Sequence, residues 1–377
     1  MSLNTEQLFV AHLTDVCDGR NNSGTARVAK ELITQLAKNQ NIHQTFIHFG
    51  ISLDPIYRLP NSKEIIIPLQ KFKIANHFFS FLIFWIKNIW KKEIKKFDIV
   101  HWHSSRIYPF FFLIPAKKTV VTLYDATNRI IKEINTFWTS IFYWNLRISI
   151  FKSDIIIGTS KDACRKLNKI SKFPSRKIKC LYLGSNFDTI RAKKPTQLPI
   201  DTDYFLCVSR WQPYKNVAKL INAYYLAIQQ DCNLPVLILV GKPVKNYCEP
   251  ALLINNFNLE DKVFVLSDLS DEELAFLYDG ALINISPSLH EGFGLPVLEG
   301  LKRNCPSLDH LFTATSEISD NAGIHVDMDS LLSIKDALLD ISQKREMLTE
   351  LRFNASKRAK LFTWQQTVDD LLKIYVN

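Results

Sequence analysis

LINISPSLHEGFGLPVLE, residues 282–299, joins an apolar β-branched run to a helix start across a turn with two glycines. Leu282–Ile285 reads as a buried strand, because it is short, apolar and bounded by turn residues. Pro296 suits the first position of a helix, where its missing N–H costs nothing. The amides of Phe293, Gly294 and Leu295 then stand unpaired at a helix N-terminus, a place that attracts phosphate. The glycines let backbone approach a ligand closely. Two carboxylates, Glu291 and Glu299, frame the turn with seven residues between them. Carboxylates accept hydrogen bonds from sugar hydroxyls, and such charge-assisted bonds contribute roughly 1.5–3 kcal/mol each. The plainer reading is a strand–helix connection in which Glu291 only complements the helix dipole.

The same alternation of apolar run and helix extends outward in both directions. The rear strands are expected at Tyr204–Val208, Val236–Val240, Lys262–Val265 and Leu282–Ile285. The front strands are expected at Gln7–Leu13, Gln44–Phe49, Asp98–Trp102, Thr119–Leu123, Asp154–Ile157 and Ile178–Tyr182. Near-continuous apolar strands separated by helices imply buried parallel sheets. A chain of 377 residues fits two such cores. The expected class is therefore α/β, with two doubly wound Rossmann-like domains facing each other across a cleft. Residues 1–187 form the first and 203–361 the second. Residues 188–202, with Pro195 and Pro199 among basic residues, read as an exposed linker. The tail 362–377 carries a last helix around Trp364.

Charge separates the halves. Residues 1–190 hold 28 Lys and Arg against 13 Asp and Glu, and the remainder holds 19 against 24. The front half therefore favours an anionic partner: nucleic acid, a membrane surface or a phosphorylated acceptor. No nucleic-acid module is recognisable. The seven cysteines are scattered with no C-x-x-C pair, which argues against a disulfide framework or structural zinc. The start has no signal-peptide pattern, which points to a cytoplasmic protein. The most apolar window, Phe78–Ile86, is shorter than the about 20 residues of a membrane-spanning helix. Lys71–Lys96 sets aromatics among seven lysines. That pattern suits either a membrane interface or a helix covering the front sheet. With 11 glycines and no G-x-G-x-x-G, hydride transfer on a dinucleotide is disfavoured.

Two further loops could carry chemistry. Val208-Ser-Arg-Trp-Gln-Pro-Tyr-Lys-Asn-Val217 follows a strand, and its Arg210 and Lys215 could neutralise a diphosphate, though alone it reads as a solvated loop. Asp18-Gly-Arg-Asn-Asn-Ser-Gly-Thr-Ala-Arg27 leads into a helix and could receive phosphate oxygens at Gly24. Asp327-Met-Asp329 spells a metal-binding D-x-D but lies in an expected surface turn, and no metal or other cofactor is expected.

Together these segments resemble the retaining nucleotide-sugar glycosyltransferase family four, of the two-Rossmann-domain GT-B fold. Tyr204–Tyr224 looks like its arginine–lysine segment and Ser286–Gly300 like its double-glutamate motif. Ser153–Ser160, Leu181–Asp188, Ser270–Ala275 and Phe362–Thr367 follow in the same order. The resemblance implies that Arg210 and Lys215 bind the donor diphosphate, while Glu291 and the amides of Phe293–Leu295 hold the transferred sugar. Glu299 would take the ribose, Gly241 would lie near the base, and Gly24 would approach the phosphate. The last helix would return to the front domain. The family usually places a histidine before an aspartate after the strand at Thr119–Leu123, where this chain has Tyr124-Asp125. His101, His103, Tyr124 and Asp125 are thus the expected acceptor-side residues. Ser209, and the segment 300–308 without the usual glycine before its proline, also depart from the pattern. The implied activity is hexose transfer, with a lean to GDP-mannose, onto a glycan or lipid-diphosphate-linked acceptor by a cytoplasmic or peripheral membrane enzyme. The alternatives are an epimerase or sugar-phosphate synthase on the same fold, and a non-catalytic anion- or nucleic-acid-binding protein.

Overall fold

The computed structural model describes residues 7–13, 24–49, 55–68, 80, 82–84, 86–87, 97–103, 111, 114–124, 148, 150–171, 175–198, 200–242 and 247–376. The chain divides into two compact units, Met1–Leu183 with Trp364–Asn377, and Gly184–Thr363.

Unit 1 is built on a parallel sheet of seven strands: β1 (Leu8–Leu13), β2 (Ile42–Phe49), β3 (Ser62–Ile67), β4 (Phe97–His103), β5 (Ala116–Leu123), β6 (Ile155–Gly158) and β7 (Ile178–Cys180). Their order is β3-β2-β1-β4-β5-β6-β7. Ile99–Trp102 of β4 and Thr119–Leu123 of β5 are wholly inside, as both faces of a parallel sheet must be. Helix α1 (Gly24–Leu36) turns Ala26, Ala29, Leu32, Ile33 and Leu36 inward at helical spacing. Helix α2 (Lys161–Ser171) follows β6.

Unit 2 repeats the plan with β8 (Tyr204–Val208), β9 (Val236–Val240), β10 (Val263–Leu266), β11 (Ile283–Ser286), β12 (Ser307–His310) and β13 (Gly323–Val326). These run parallel in the order β10-β9-β8-β11-β12-β13. The helices are α3 (Val217–Ile228), α4 (Glu249–Asn256), α5 (Asp271–Gly280), α6 (Leu295–Lys302), α7 (Ala314–Ser319), α8 (Leu331–Gln343) and α9 (Glu346–Ala359). Ser270 and Glu273 cap α5 reciprocally. Helix α10 (Trp364–Val376) belongs to unit 1. In both sheets the order reverses beside the first strand, between β1 and β4 and between β8 and β11. Ligands of open α/β sheets bind at that switch, beyond the carboxyl ends of the strands.

Three strands escaped the sequence reading. β3 is an edge strand buried only at Ile67, β13 is a partly exposed edge strand, and β12 hides polar residues inside. The segment 188–202, read as an exposed linker, belongs to unit 2 and is exposed at most of its described positions, while its apolar residues turn inward. Ile190, Ala192, Leu198 and Ile200 pack on a cluster formed by Phe187, Tyr204, Leu206 and Tyr278. Ile178–Tyr182 is shorter as a strand than expected, ending at Cys180. Of Lys71–Lys96, Phe84 packs against the unit 1 core, while Ile86 and Lys87 are exposed. Among the described residues no helix is long and apolar enough to cross a membrane.

Candidate active site at the β8–β11 switch

β8 and β11 are neighbours, with Ile283 opposite Phe205 and Asn284 opposite Leu206, so the loops that leave them emerge side by side. After β8 the chain passes Ser209 and Arg210, makes a 3-10 turn at Pro213–Lys215, and enters α3. Asn216 adopts left-handed backbone (φ 60°) between the two, and its Nδ2 donates to the Met328 carbonyl at 2.6 Å. Asn tolerates that conformation better than most residues. The Tyr214 carbonyl then accepts from the Leu289 amide (3.1 Å) and the Ser288 hydroxyl (3.4 Å). This stitch joins the two loops and brings their charged residues together. Lys215 Nζ lies 2.6 Å from Glu291 Oε1, with the side chains 19% and 13% exposed. Arg210 is exposed and its guanidinium has no ion pair among the described residues.

The turn that follows is set by Gly294, which caps α6 at φ 97°; a Cβ there would come within 2.8 Å of Thr315 Cγ2. Phe293 is buried against Phe362 in an edge-on contact at 6.2 Å. The first bonds of α6 run from the Val297 and Leu298 amides to the Gly294 carbonyl. Among the described residues nothing accepts from the amides of Phe293, Gly294 or Leu295. These donors stand at the positive end of a helix, which suits a negatively charged oxygen. Glu299, one turn further along, is buried and accepts from the Tyr278 hydroxyl at 3.3 Å. Gly241 follows β9 at φ 148°, and a Cβ there would sit 1.9 Å from the Ser209 carbonyl, so only glycine fits beside the start of the Arg210 loop. Lys215, Glu291, Glu299, Gly241 and the amide cluster thus all belong to unit 2.

The remaining expected residues lie in unit 1. Gly24 is the exposed first residue of α1; residues 14–23 and Asp125 lie outside the described residues. His101 and His103, expected on the acceptor side, are wholly buried. They share one face of β4 at a spacing of two, and β1 places His12 opposite His101. His103 Nε2 is 3.0 Å from His12 Nδ1, and its Nδ1 is 3.2 Å from the Tyr124 hydroxyl. His101 meets the hydroxyls of Tyr375 (2.6 Å) and Thr122 (2.7 Å). Burial pushes the pKa of His12 down to about 3. Burial, reinforced by the neighbouring rings, holds His101 and His103 well below the usual histidine range. All three are therefore neutral near pH 7. Their nitrogens lie within 4.8 Å of one another and, by residue type, could hold a metal such as zinc. The stacked rings, with His101 and His103 centroids 4.0 Å apart, and the hydroxyls already bonded to them describe a hydrogen-bond network of neutral imidazoles.

Asp327 and Asp329 form a turn, as expected: Asp327 accepts from the Asp329 amide and Asp329 pairs with Lys219. A polar cavity of roughly 370 Å³ lies away from the switch, between Asp188, Asp279, Lys302, Arg303 and Lys360. Most of its charges neutralise one another, Lys302 with Asp188 and Arg303 with Asp279, which leaves little to recognise a ligand. Sequence reading missed Tyr214, Ser288 and Asn216, because backbone carbonyl contacts leave no motif. It also missed His12 and Tyr375, whose partners are distant in the chain.

Comparison with known proteins identifies the family and the fold. Residues 188–359 match the family model of glycosyl transferases group 1, and residues 22–188 match that of glycosyltransferase family 4. The chain is 24% identical over 240 residues to O-antigen chain mannosyltransferase B of Escherichia coli, a match covering 61% of this chain and 62% of that protein. It is 26% identical over 213 residues to O-antigen chain mannosyltransferase RfbU of Salmonella typhimurium, covering 56% and 57%. The matches thus span less than two thirds of either relative. Among solved structures, sucrose-phosphate synthase from Thermosynechococcus elongatus superimposes with a TM-score of 0.75 at 16% identity, covering 98% of both chains. HepE of Anabaena in complex with UDP and glucose gives 0.74 at 14%, covering 98% of this chain and 99% of that one. At that identity the likeness shows the fold alone, which is GT-B.

Proposed function

The chain belongs to glycosyltransferase family four, and from that premise we propose that it transfers a hexose from a nucleotide diphosphate sugar to a glycan or lipid-linked acceptor. GDP-mannose is the favoured donor, a choice supported by the mannosyltransferase names of its relatives. The observation that carries the reading is the meeting of Lys215, Glu291 and an unpaired amide cluster at the β8–β11 switch. In this reading Arg210, Lys215 and the α6 N-terminus hold the diphosphate, Glu291 holds the sugar and Glu299 the ribose. Gly241 lets the base lie close to the backbone.

The chemistry follows from where charge develops. The bond between the anomeric carbon and the phosphate oxygen breaks, and its electron pair stays on the diphosphate. Cations placed beside that oxygen in the donor complex stabilise the separation. The acceptor hydroxyl attacks the oxocarbenium-like carbon from the face the phosphate leaves, giving retention, and its proton passes to the departing phosphate. No metal is needed in this scheme, because the two side-chain cations and the helix supply the positive field. Peripheral attachment to the inner face of a membrane is part of the proposal, supported by the 28 basic against 13 acidic residues of the first 190.

The test is a thermal-shift screen against a panel of nucleotide sugars, since a ligand of the folded state raises the melting temperature by mass action. Transfer assays with the best donor should then lose roughly 10²–10³-fold in turnover in Lys215→Ala and Arg210→Ala. Near-normal turnover in Lys215→Ala would refute the assignment. Product analysis with and without acceptor separates transfer from epimerisation.

A further inference from the structure

We infer that the Lys215–Glu291 ion pair makes the site prefer an intact donor over the nucleoside diphosphate left after transfer. The inference rests on the donor reading above and addresses what that reading leaves open, how the spent nucleotide is driven out.

Among the described residues Glu291 has no hydrogen-bond or ion-pair partner besides Lys215, 2.6 Å away. Both side chains are mostly shielded, so water replaces little of what each loses on separation. A part-buried charge deprived of its partner is costly. An intact donor brings a substitute for each group, since its phosphate oxygens meet the ammonium and its sugar hydroxyls donate to the carboxylate. A nucleoside diphosphate brings only the first. To engage it, Lys215 must turn from Glu291, leaving a carboxylate without a donor and close to another anion. The pair therefore competes with the product and not with the substrate. Two features favour its re-forming. The Tyr214 carbonyl ties the two loops together independently of any ligand, which keeps the partners within reach. The Lys215 ammonium also rests 5.1 Å from the Tyr214 ring, which helps to hold it in the paired position.

The experiment is isothermal titration of the full chain with GDP, GDP-mannose, UDP and UDP-glucose. In the wild type the sugar-bearing form of the accepted base should bind more tightly than its free diphosphate. Glu291→Gln should tighten the free diphosphate about tenfold and weaken the sugar nucleotide, collapsing the preference. On a Lys215→Ala background the same substitution should leave diphosphate affinity nearly unchanged. Equal tightening on both backgrounds would mean plain repulsion between Glu291 and the phosphates, and would overturn the inference, as would unchanged diphosphate binding in Glu291→Gln. Should that variant fail to fold, Glu291→Ala carries the same expectation. A wild type that binds none of the four ligands sinks the donor reading itself, an outcome distinct from binding without the predicted preference.

Discussion

Asp309 is wholly buried on β12, yet its carboxylate is fully engaged. Ser307 donates to Oδ2 at 2.6 Å, Ser319 donates to the same oxygen at 2.8 Å, and His325 Nδ1 lies 2.8 Å from Oδ1. The Asp320 carbonyl meets the other ring nitrogen of His325 at 2.9 Å. Burial opposes a charge on His325, but the carboxylate and the carbonyl outweigh it and raise the pKa above the ordinary histidine value. A raised folded-state value means that the charged pair stabilises unit 2 fully below about pH 6.5, the unfolded histidine value. That stabilisation is lost as pH climbs through the raised value. The melting temperature of His325→Gln should therefore lie furthest below wild type in mild acid, and the gap should close as pH rises. A gap that widens with pH would contradict this. Asp309→Ala should cost about 3 kcal/mol by urea denaturation, because three donors lose their acceptor inside the core.

At the scale of elements, the site depends on two glycines held to different degrees. Gly241 faces the backbone carbonyl of Ser209, and backbone cannot yield to a Cβ placed 1.9 Å away. Gly294 faces the Cγ2 of Thr315, a side-chain methyl rather than backbone, so a Cβ there displaces one rotamer and not the chain. Gly241→Ala should therefore cost at least about 3 kcal/mol and abolish nucleotide binding, whereas Gly294→Ala should cost about 1 kcal/mol for its left-handed backbone. Equal melting temperatures for the two variants would show that the β9 end is not pinned as described. Such elements were legible in proportion to how far local apolarity decides them. Tyr204–Val208 and Val236–Val240 match the structure residue for residue, because every position is apolar and needed inside. β12 could not be read, since Ser307 and Asp309 are acceptable inside only through Ser319 and His325, partners that no local pattern announces. The order of Arg210, Lys215, Glu291 and Glu299 was legible as a motif. The Tyr214 stitch that sets Lys215 on Glu291 was not, since a carbonyl is common to every residue.

At the scale of the whole molecule, chain order and structural unit part company at the C-terminus. The chain leaves unit 2 at Thr363 and completes unit 1 with α10, whose Trp364, Val368, Leu371, Leu372 and Tyr375 are buried. The Tyr375 hydroxyl reaches His101, Thr367 donates to the Tyr182 carbonyl at 3.0 Å, and Lys118 donates to the carbonyls of Tyr375 and Val376. Each large apolar side chain removed from water stabilises by about 1.5–3 kcal/mol. Together they rival the whole stability of a typical domain, roughly 5–15 kcal/mol. Truncation after Thr363 should therefore melt unit 1 selectively, although the residues removed are the most distant in sequence from β1. The residues assigned to the nucleotide, Gly24 excepted, all lie in unit 2, whose cores draw on residues between 187 and 348. Calorimetry of the truncated chain should show one transition lost or lowered and a second still raised by the nucleotide sugar. If both transitions fall together, or the nucleotide no longer protects the survivor, the units do not have the independent cores described.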